Sequence, residues 1–386
     1  MNKVFICPSN IKSKSEISIT GSKSESNRLL IINALYSNIE LLNLSNSDDT
    51  KVLTKALSNL NSQIDIHHAG TAMRFLTAFL AQIQNREFII TGSARMQERP
   101  IGILVDSLNE LGFEVRFLDK KGFPPLKIIG KKNINSEIRL NSTVSSQYIS
   151  ALMLIAPSLD NGLKIILEGQ IISKPYINLT LNILKKIGVN CSFKKNIIEI
   201  KKYSKSQISE YTVESDWSSA SYFYSIVSLL DNATIILSSF FDNSFQGDSK
   251  VSKIYESFGV NTTYKKNTIR LTKIENYSKP DSLEFDLLEN PDLAQTISVT
   301  ALCMGVPLVL TGLQTLKMKE TDRIIALKNE LSKLGANVVY NDNSISINPP
   351  NKLNENVNIK TYSDHRMALS FSPVGLITPI YIEDYN

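Results

Sequence analysis

Basic and acidic residues surround the start of one predicted surface helix in the stretch "LKMKETDRIIALKNELSKLG". Lys317, Lys319 and Glu320 precede this helix, and Arg323 lies one step inside it. An N-cap at the Thr-Asp pair before Arg323 accounts for the helix start, but it requires neither lysine nor Glu320. An adjacent ammonium and carboxyl group can bind an anion and move protons to and from it. The spacing therefore predicts an acid/base and anion-binding cluster.

A second group of cations stands at the front of a predicted apolar helix, "GSKSESNRLLIINALY", which carries Lys23 and Arg28. The unpaired N–H groups of a helix start already carry partial positive charge, so they disfavour cations and favour an anion. Ser22 and Glu25 have the spacing of a capping box, which explains the serine but not the two cations. We therefore predict that a bound anion lies against this helix start.

Three further segments contain groups suited to anions. "VSSQY" is rich in hydroxyl groups, which could bind phosphate or form an ordinary N-cap. "GSARMQERP" holds Arg95 and Arg99 in a loop closed by Pro100. A planar guanidinium suits phosphate and carboxylate, although loop arginines are often only solvated. "SDHRMA" adds His365 and Arg366, where a single histidine is more often structural than catalytic.

Composition and charge favour a small acidic substrate over a macromolecular partner. The 386 residues carry a formal net charge of +5 without any block of five basic residues, so we expect neither nucleic acid nor a membrane as partner.

Three widely separated cysteines form no CxxC pair, which argues against disulfides and a metal site. The first apolar run is too short for a signal peptide, so we expect a cytoplasmic protein. The uncharged stretch 296–313 is split by Gly305 and Pro307 and predicts a buried helix followed by a strand.

Two kinds of helix recur along the chain and would position these groups. Helices of mixed polarity end at Gly112, Gly188, Gly259 and Gly335, where glycine can adopt the left-handed conformation that stops a helix. The other kind has an uncharged body and must be buried on all sides. Its six copies begin with small or polar segments: "GSKSESNRLLIINAL", "HAGTAMRFLTAFLAQ", "VSSQYISALMLIAPSL", "DWSSASYFYSIVSLL", "NPDLAQTISVTALCMG" and "SDHRMALSFSPVGL".

The repeats also predict the architecture. Alternating segments such as "EFIITGS" and "NTIRLTK" indicate strands with one wet face. Units that recur about every 70 to 76 residues indicate a repeated supersecondary structure. We predict an α/β fold with two domains of three units each, residues 20–213 and residues 1–19 plus 214–386, with the first strand packing in the second domain. The buried helix starts would meet at a cleft between the domains, where a ligand pairs their cations and closes the domains.

Nine motifs, all in family order, closely resemble those of the 5-enolpyruvylshikimate-3-phosphate (EPSP) synthase family. The combination is specific and covers essentially the whole chain. The resemblance implies two inverse α/β barrels of three units, transfer of the enolpyruvyl group of phosphoenolpyruvate to the 5-hydroxyl of shikimate 3-phosphate with release of phosphate, and no metal or organic cofactor. The motifs are "GSKSESNR", "AGTAMRFL", "RMQERPI", "SSQYISALM", "ISKPYI", "DWSSASYF", "NPDLAQT", "KETDR" and "DHRMA".

The resemblance also implies roles for individual residues. Asp292 would be the base that takes the proton from the attacking hydroxyl, and Glu320, with Lys23, would deliver a proton to the enolpyruvyl methylene. The shikimate 3-phosphate site would comprise Lys23, Ser24, Arg28, Ser145, Ser146, Gln147, Ser173, Tyr176, Asp292 and Lys319. The phosphoenolpyruvate site would comprise Lys23, Gly70, Arg95, Gln147, Arg323 and Arg366.

The sequence departs from the family pattern in a few places. Members carry a lysine in a K-S/T-F/Y-P motif after the "IED" strand, whereas this sequence ends at Asn386. Either the sequence is shortened or one phosphoenolpyruvate contact is missing. Thr315, His67 and His68 differ from common family residues, and we assign them no role.

Two other functions remain open from the sequence alone. UDP-N-acetylglucosamine enolpyruvyl transferases share the six-unit architecture, but they rely on a cysteine in a mobile loop of the first domain. None of Cys7, Cys191 and Cys303 lies in a comparable loop. The other alternative is a non-catalytic anion-binding protein descended from the enzyme. For the favoured function we expect the small-molecule substrates phosphoenolpyruvate and shikimate 3-phosphate, and a monomer.

Overall fold

The computed structural model describes residues 2–9, 11–36, 38–141, 145–169, 171, 174–203 and 206–385. Contacts divide the chain into two units, which we call the first unit (residues 20–214) and the second unit (residues 1–19 and 215–386). A domain is a unit that folds by itself, which contacts alone do not establish. The two predicted domains, residues 20–213 and residues 1–19 plus 214–386, therefore stay a prediction. Strands β1 (Lys3–Ile6) and β2 (Lys14–Ile17) begin the chain and belong to the second unit.

The first unit is built from alternating helices and strands. Two of its sheets have four strands, in the orders β4-β5-β7-β6 and β10-β11-β9-β8, and β3 pairs in parallel with β12. The elements are α1 (Lys23–Tyr36), β3 (Glu40–Leu42), α2 (Asp48–Ser58), β4 (Gln63–Asp65), α3 (Gly70–Ala81), β5 (Glu87–Thr91), α4 (Ala94–Gln97), α5 (Gly102–Glu110), β6 (Glu114–Phe117), β7 (Leu126–Ile129), β8 (Glu137–Asn141), α6 (Ser146–Ile155), β9 (Leu163–Glu168), α7 (Lys174–Lys186), β10 (Cys191–Lys194), β11 (Ile197–Ile200) and β12 (Glu210–Thr212).

The second unit repeats this plan. Its sheets have the strand orders β14-β15-β13-β2, β16-β17-β19-β18 and β1-β21-β20. The pairing of β1 with β21 confirms that the first strand packs in the second half. The remaining elements are α8 (Trp217–Ser228), β13 (Thr234–Ser238), α9 (Val251–Ile254), β14 (Val260–Lys265), β15 (Thr268–Lys273), β16 (Leu283–Asp286), α10 (Ala294–Met304), β17 (Leu308–Thr311), α11 (Arg323–Lys333), β18 (Asn337–Tyr340), β19 (Ile345–Asn348), β20 (Val357–Ile359), α12 (His365–Phe371) and β21 (Ile380–Glu383).

One pattern of strand pairing recurs in all four four-stranded sheets. Two strands pair in parallel, and a β-hairpin then adds two antiparallel strands, as in β4–β5 with β6–β7 and in β16–β17 with β18–β19. Parallel neighbours need a crossover, which the buried helices α3 and α10 provide in these two sheets. The sequence prediction of an α/β fold built from repeated helix-and-strand units is therefore confirmed.

The two predicted kinds of helix are both present. Every residue of α3 is buried, as expected for a helix without charge on any side except at Arg74. The helices of mixed polarity end at the four predicted glycines, each with a positive φ, for example 105° at Gly188. The stretch 296–313 forms the end of α10 and then β17, with Gly305 at φ 69° between them. Among the described residues, no helix has the length and apolar character needed to cross a membrane.

Candidate active site

The starts of α8, α10 and α12 lie together, although α12 is not buried on all sides as the sequence predicted, since its Leu369 is 44% exposed. Asp292 lies in the single turn before α10, Ser218 in the first turn of α8, and Arg366 in the first turn of α12. Arg366 Nη2 lies 3.3 Å from both Asp292 Oδ2 and Ser218 Oγ. Within this unit, these helices therefore direct their N-terminal ends at one small region, whereas the meeting of all six helix starts stays a prediction.

Arg323, the first residue of α11, joins this region and is only 2% exposed. Its Nη1 donates to Asp292 Oδ1 (2.9 Å), its Nη2 to Glu320 Oε2 (2.7 Å), and its Nε to Asp364 Oδ2 (2.7 Å). Burial lowers the pKa of Arg323, but the charges of Glu320, Asp364 and Asp292 together outweigh burial and raise that pKa above its ordinary value. Arg323 therefore stays charged and holds three carboxylates in fixed positions.

Asp292 is the centre of this cluster because it contacts three cations. Besides Arg323 and Arg366, Lys319 Nζ lies 3.2 Å from Asp292 Oδ1. The structure thus brings together five residues that the sequence assigned to the site: Asp292, Lys319, Glu320, Arg323 and Arg366. We call these five residues and Asp364 the carboxylate–arginine cluster.

Two expectations about these cations need correction. The sequence led us to expect that a ligand alone would pair them, whereas Asp292, Glu320 and Asp364 already do so. The reason is that a buried guanidinium without a counter-charge costs several kcal/mol.

Lys317, whose presence the N-cap did not explain, forms an exposed pair with Asp342 at 3.2 Å and lies outside the cluster. The N-cap itself is Asp322, which accepts from Ile325 N (3.2 Å).

Arg366 retains a hydrogen-bond donor for a ligand. Its Nε is buried and has no hydrogen-bond partner among the residues that the structure describes. A buried donor without an acceptor is costly, so such a group indicates a missing acceptor. A carboxylate that accepted from Nε and a terminal nitrogen would satisfy it with the bidentate geometry that arginine favours.

Sequence reasoning missed Asp248 in this region. Ser218 Oγ donates to the Asp248 carboxylate and also contacts Arg366. Burial, and next the charge of Asp292, raise the pKa of Asp248 to about 6. The only local signal was an acidic residue in "FQGDSK", a stretch that otherwise resembles a turn.

In the first unit, Arg28 is buried in the core between α1, α6 and α7. It is 2% exposed, and it donates to Thr180 Oγ1 (2.7 Å), Ser150 Oγ (3.0 Å), Ser24 O (2.6 Å) and Tyr176 O (3.4 Å). Burial lowers its pKa to about 10. Four of the five N–H groups of the guanidinium thus have acceptors among the described residues of this unit.

The proposed capping box at the start of α1 is not formed. Ser22 N donates to Glu214 O (2.8 Å), and Glu25 Oε1 accepts from Tyr211 OH (2.7 Å). Glu25 is therefore used in a tertiary contact instead of the local reciprocal bond that its spacing suggested. Lys23 begins α1 and is half-buried.

Two arginines and one carboxylate lie at the start of α3, where Asp49 Oδ1 accepts from Ala72 N (3.3 Å). Its N-cap residue, Ala69, provides no side-chain acceptor, and the guanidinium of Arg99 lies against Gly70 so closely that a Cβ there would be 2.5 Å from Arg99 Nη1. Burial and the neighbouring charge of Arg99 lower the pKa of Arg74 to about 10. Arg95, by contrast, is largely exposed and pairs with Glu98 at 3.1 Å. The structure therefore adds Arg99 as a cation close to Gly70.

The remaining predicted residues lie near the start of α6 and α7. Ser145 is the N-cap of α6 and accepts from Gln147 N (3.3 Å), and Ser146 is buried in the first turn. Tyr176 lies in the first turn of α7. Ser173 lies outside the described residues.

Comparisons with known proteins agree with these observations. Residues 60–385 match the sequence profile of EPSP synthase (3-phosphoshikimate 1-carboxyvinyltransferase). The chain is 46% identical, over 98% of its length and 92% of the relative's, to the 3-phosphoshikimate 1-carboxyvinyltransferase of Bacteroides fragilis strain YCH46. The chain belongs to the EPSP synthase family. A Colwellia psychrerythraea member is 36% identical over 97% of this chain and 93% of its own.

A solved structure of this family shares the fold. EPSP synthase from Acinetobacter baumannii superposes with a TM-score of 0.81 at 22% identity, covering 99% of this chain and 94% of the solved chain. Family membership also decides against the UDP-N-acetylglucosamine enolpyruvyl transferase alternative. Two of the three cysteines agree with this, since burial raises the pKa of Cys191 to about 11 and that of Cys303 to about 12, which keeps both thiols protonated and unreactive near neutral pH. The third, Cys7, is exposed but lies in the second unit, not in the first.

Proposed function

We propose that this chain transfers the enolpyruvyl group of phosphoenolpyruvate to the 5-hydroxyl of shikimate 3-phosphate and releases inorganic phosphate. The observation that carries the proposal is the carboxylate–arginine cluster in a chain of the EPSP synthase family. Its carboxylates can exchange protons, and its cations can hold anionic substrates. We further propose that the enzyme acts in the cytoplasm as a monomer. Size-exclusion chromatography with light scattering can test the oligomeric state.

The reaction requires one proton to leave and one to arrive in its first step. The substrate hydroxyl loses a proton to the Asp292 carboxylate, and its oxygen forms a bond to C2 of phosphoenolpyruvate. Glu320, with Lys23, delivers a proton to the methylene carbon, which becomes a methyl group. In the second step the methyl group returns a proton, the C–O bond to phosphate breaks, and the vinyl ether product forms. Removing an acid or base of this kind typically costs about 10²- to 10⁴-fold in rate.

Different cations would bind different anionic groups of the two substrates. Arg323 and Arg366 would bind the carboxylate of phosphoenolpyruvate, and the unpaired Nε of Arg366 supports this assignment. The phosphate of phosphoenolpyruvate would bind at the start of α3, at Gly70, together with Lys23, Arg95 and Gln147. Shikimate 3-phosphate would bind to Lys319, Asp292 and the group of Lys23, Ser24, Arg28, Ser145, Ser146, Gln147, Ser173 and Tyr176.

Such fixed charges act where negative charge develops. The addition step places new charge on the tetrahedral centre, and the elimination step places it on the departing phosphate. Preorganised donors that are already held by neighbouring carboxylates, as Arg323 is, need little rearrangement when this charge appears.

Phosphate release from phosphoenolpyruvate in the presence of shikimate 3-phosphate tests the function. Asp292→Asn and Glu320→Gln should each lower turnover by at least about a hundredfold while shikimate 3-phosphate still binds, as measured by calorimetry. Asp342→Asn and Glu355→Gln make the same chemical changes at exposed pairs outside the cluster and serve as controls. Binding without phosphate release by the unaltered chain would instead support a non-catalytic anion-binding protein.

A further inference from the structure

The backbone just before α12 adopts an unusual conformation. Tyr362 and Ser363 are consecutive residues with φ 56° and φ 53°. Pairs of left-handed residues are common in two-residue β-hairpin turns, but this pair lies between β20 and α12 and contains neither glycine nor asparagine, so contacts with its surroundings must hold it. The next residue is Asp364, the N-cap of α12. The strained turn therefore leads directly into the carboxylate–arginine cluster.

A buried carboxylate holds this turn. Tyr362 OH donates to Glu330 Oε1 at 2.6 Å, and Glu330 is fully buried. Glu330 Oε2 also accepts from Lys360 N (3.0 Å) and Lys333 Nζ (2.5 Å). Burial, followed by the hydrogen bond and charge of Glu330, raises the pKa of Tyr362 to about 12, so its hydroxyl remains a donor at neutral pH. The Glu330 carboxylate thus binds the chain on the N-terminal side of the turn.

On the C-terminal side, the turn fixes two arginines through Asp364. Asp364 Oδ1 accepts from Arg366 N at 2.9 Å, which caps α12. Its two oxygens also accept from Arg323, with Nε to Oδ2 at 2.7 Å and Nη2 to Oδ1 at 3.3 Å. Asp364 N in turn donates to Thr361 O (3.0 Å) across the turn. A rotation of this turn would therefore displace the guanidinium of Arg323 and the start of α12 together.

Glu330 and Arg323 belong to the same helix. They are seven residues apart in α11, which places them about two turns apart on one face. Helix α11 consequently contacts the segment 360–366 at two points, Arg323 with Asp364 and Glu330 with Tyr362. Two attachments separated along a helix fix the orientation of a segment, whereas one would allow it to pivot.

We propose that Glu330 and Tyr362 are positioning residues of the active site, which set the orientation of Arg323 and Arg366 through the turn at Asp364. This inference rests on the proposed function, in which those two arginines bind the carboxylate of phosphoenolpyruvate. It assigns control of the affinity for one of the two substrates to the buried Glu330 and the half-buried Tyr362, neither of which is proposed to touch that substrate.

Tyr362→Phe tests the proposal because it removes only the hydroxyl group. The KM for phosphoenolpyruvate should rise by about fivefold or more, while the KM for shikimate 3-phosphate changes less than twofold. Glu330→Gln retains an acceptor for the Tyr362 hydroxyl and should show a smaller rise. The double variant should raise this KM by less than the product of the two single rises, since the two residues share one bond. Tyr340→Phe, at an exposed tyrosine, is the matched control.

A purely structural role would lower the unfolding midpoint but leave the ratio of the two KM values unchanged, and that result would overturn the proposal. If Tyr362→Phe does not fold, the comparison is made with Glu330→Leu, which removes the acceptor for the Tyr362 hydroxyl, and an unchanged ratio there would overturn the proposal equally. Amide hydrogen exchange of the segment 360–367 provides a readout that is independent of catalysis. Should the unaltered chain release no phosphate, the proposed function fails. Faster exchange in Tyr362→Phe than in Tyr340→Phe would still support the role of Glu330 and Tyr362 in holding the turn, and equal exchange would refute it.

Discussion

Replacing Glu25 with glutamine should stabilise the first unit at pH 8 but not at pH 4. Glu25 is 3% exposed in the first turn of α1, and its Oε2 has no hydrogen-bond partner among the described residues. Burial is the main cause that raises the pKa of this carboxyl group from 4.5 to about 7, and the charge of Glu214 adds to it despite the opposing hydrogen bond from Tyr211. The ionised form is therefore disfavoured in the folded protein.

The size of the effect follows from this pKa change. The unfolded chain loses the proton near pH 4.5, whereas the folded protein keeps it to about pH 7, so the free energy of unfolding falls as the pH rises between these values. Each pH unit in that window costs about 1.4 kcal/mol, and the total loss is about 3 kcal/mol, complete above about pH 7. The glutamine variant has no proton to lose at this position and avoids the loss.

Urea unfolding between pH 4 and pH 8 measures this difference. Trp217 is the only tryptophan and lies in the second unit, so a transition seen by far-UV circular dichroism but not by tryptophan fluorescence reports the first unit. The stability gain of Glu25→Gln should grow by about 3 kcal/mol across this range. Glu40→Gln changes the same group at an exposed position and is the control. A gain that does not depend on pH would refute the reasoning.

Three other variants test separate parts of the structure. Arg366→Lys should raise the KM for phosphoenolpyruvate about tenfold or more, because an ammonium cannot supply parallel donors; an unchanged KM in steady-state kinetics would remove this residue from the site. Gly70→Ala should raise the Kd for phosphoenolpyruvate, measured by calorimetry, about tenfold, because the new Cβ would displace Arg99. Gly188→Ala should lower the free energy of unfolding by about 1 to 3 kcal/mol, since φ is 105° there; equal urea midpoints would contradict this reason.

Local sequence signals predicted the architecture well. The glycines that end the helices of mixed polarity are recognisable because a left-handed residue is a local requirement of the chain. The uncharged helices were recognisable because burial on all sides excludes charge from the helix body. For the same reason, polar residues at the starts of α10, α11 and α12, such as Asp292 and Arg323, were identifiable as site candidates.

The partners of these residues were not predictable in the same way. Glu25 and Tyr211 are 186 positions apart, so the spacing that suggested a local capping box could not reveal their contact. Likewise, the pairing of Arg323 with Asp364 joins two helices 41 positions apart. The sequence therefore identified which groups carry charge, whereas the neutralisation of that charge depends on tertiary packing.

The assignment of acid and base to the carboxylate–arginine cluster is tested most directly by running the reaction in deuterium oxide and following the product by proton NMR. Delivery of a solvent-exchanged proton by Glu320 to the methylene carbon predicts deuterium in the vinyl group of the product. Glu320→Gln should slow deuterium incorporation and phosphate release by the same factor, at least about a hundredfold. Product without deuterium, or incorporation by Glu320→Gln at the rate of the unaltered chain, would contradict the account.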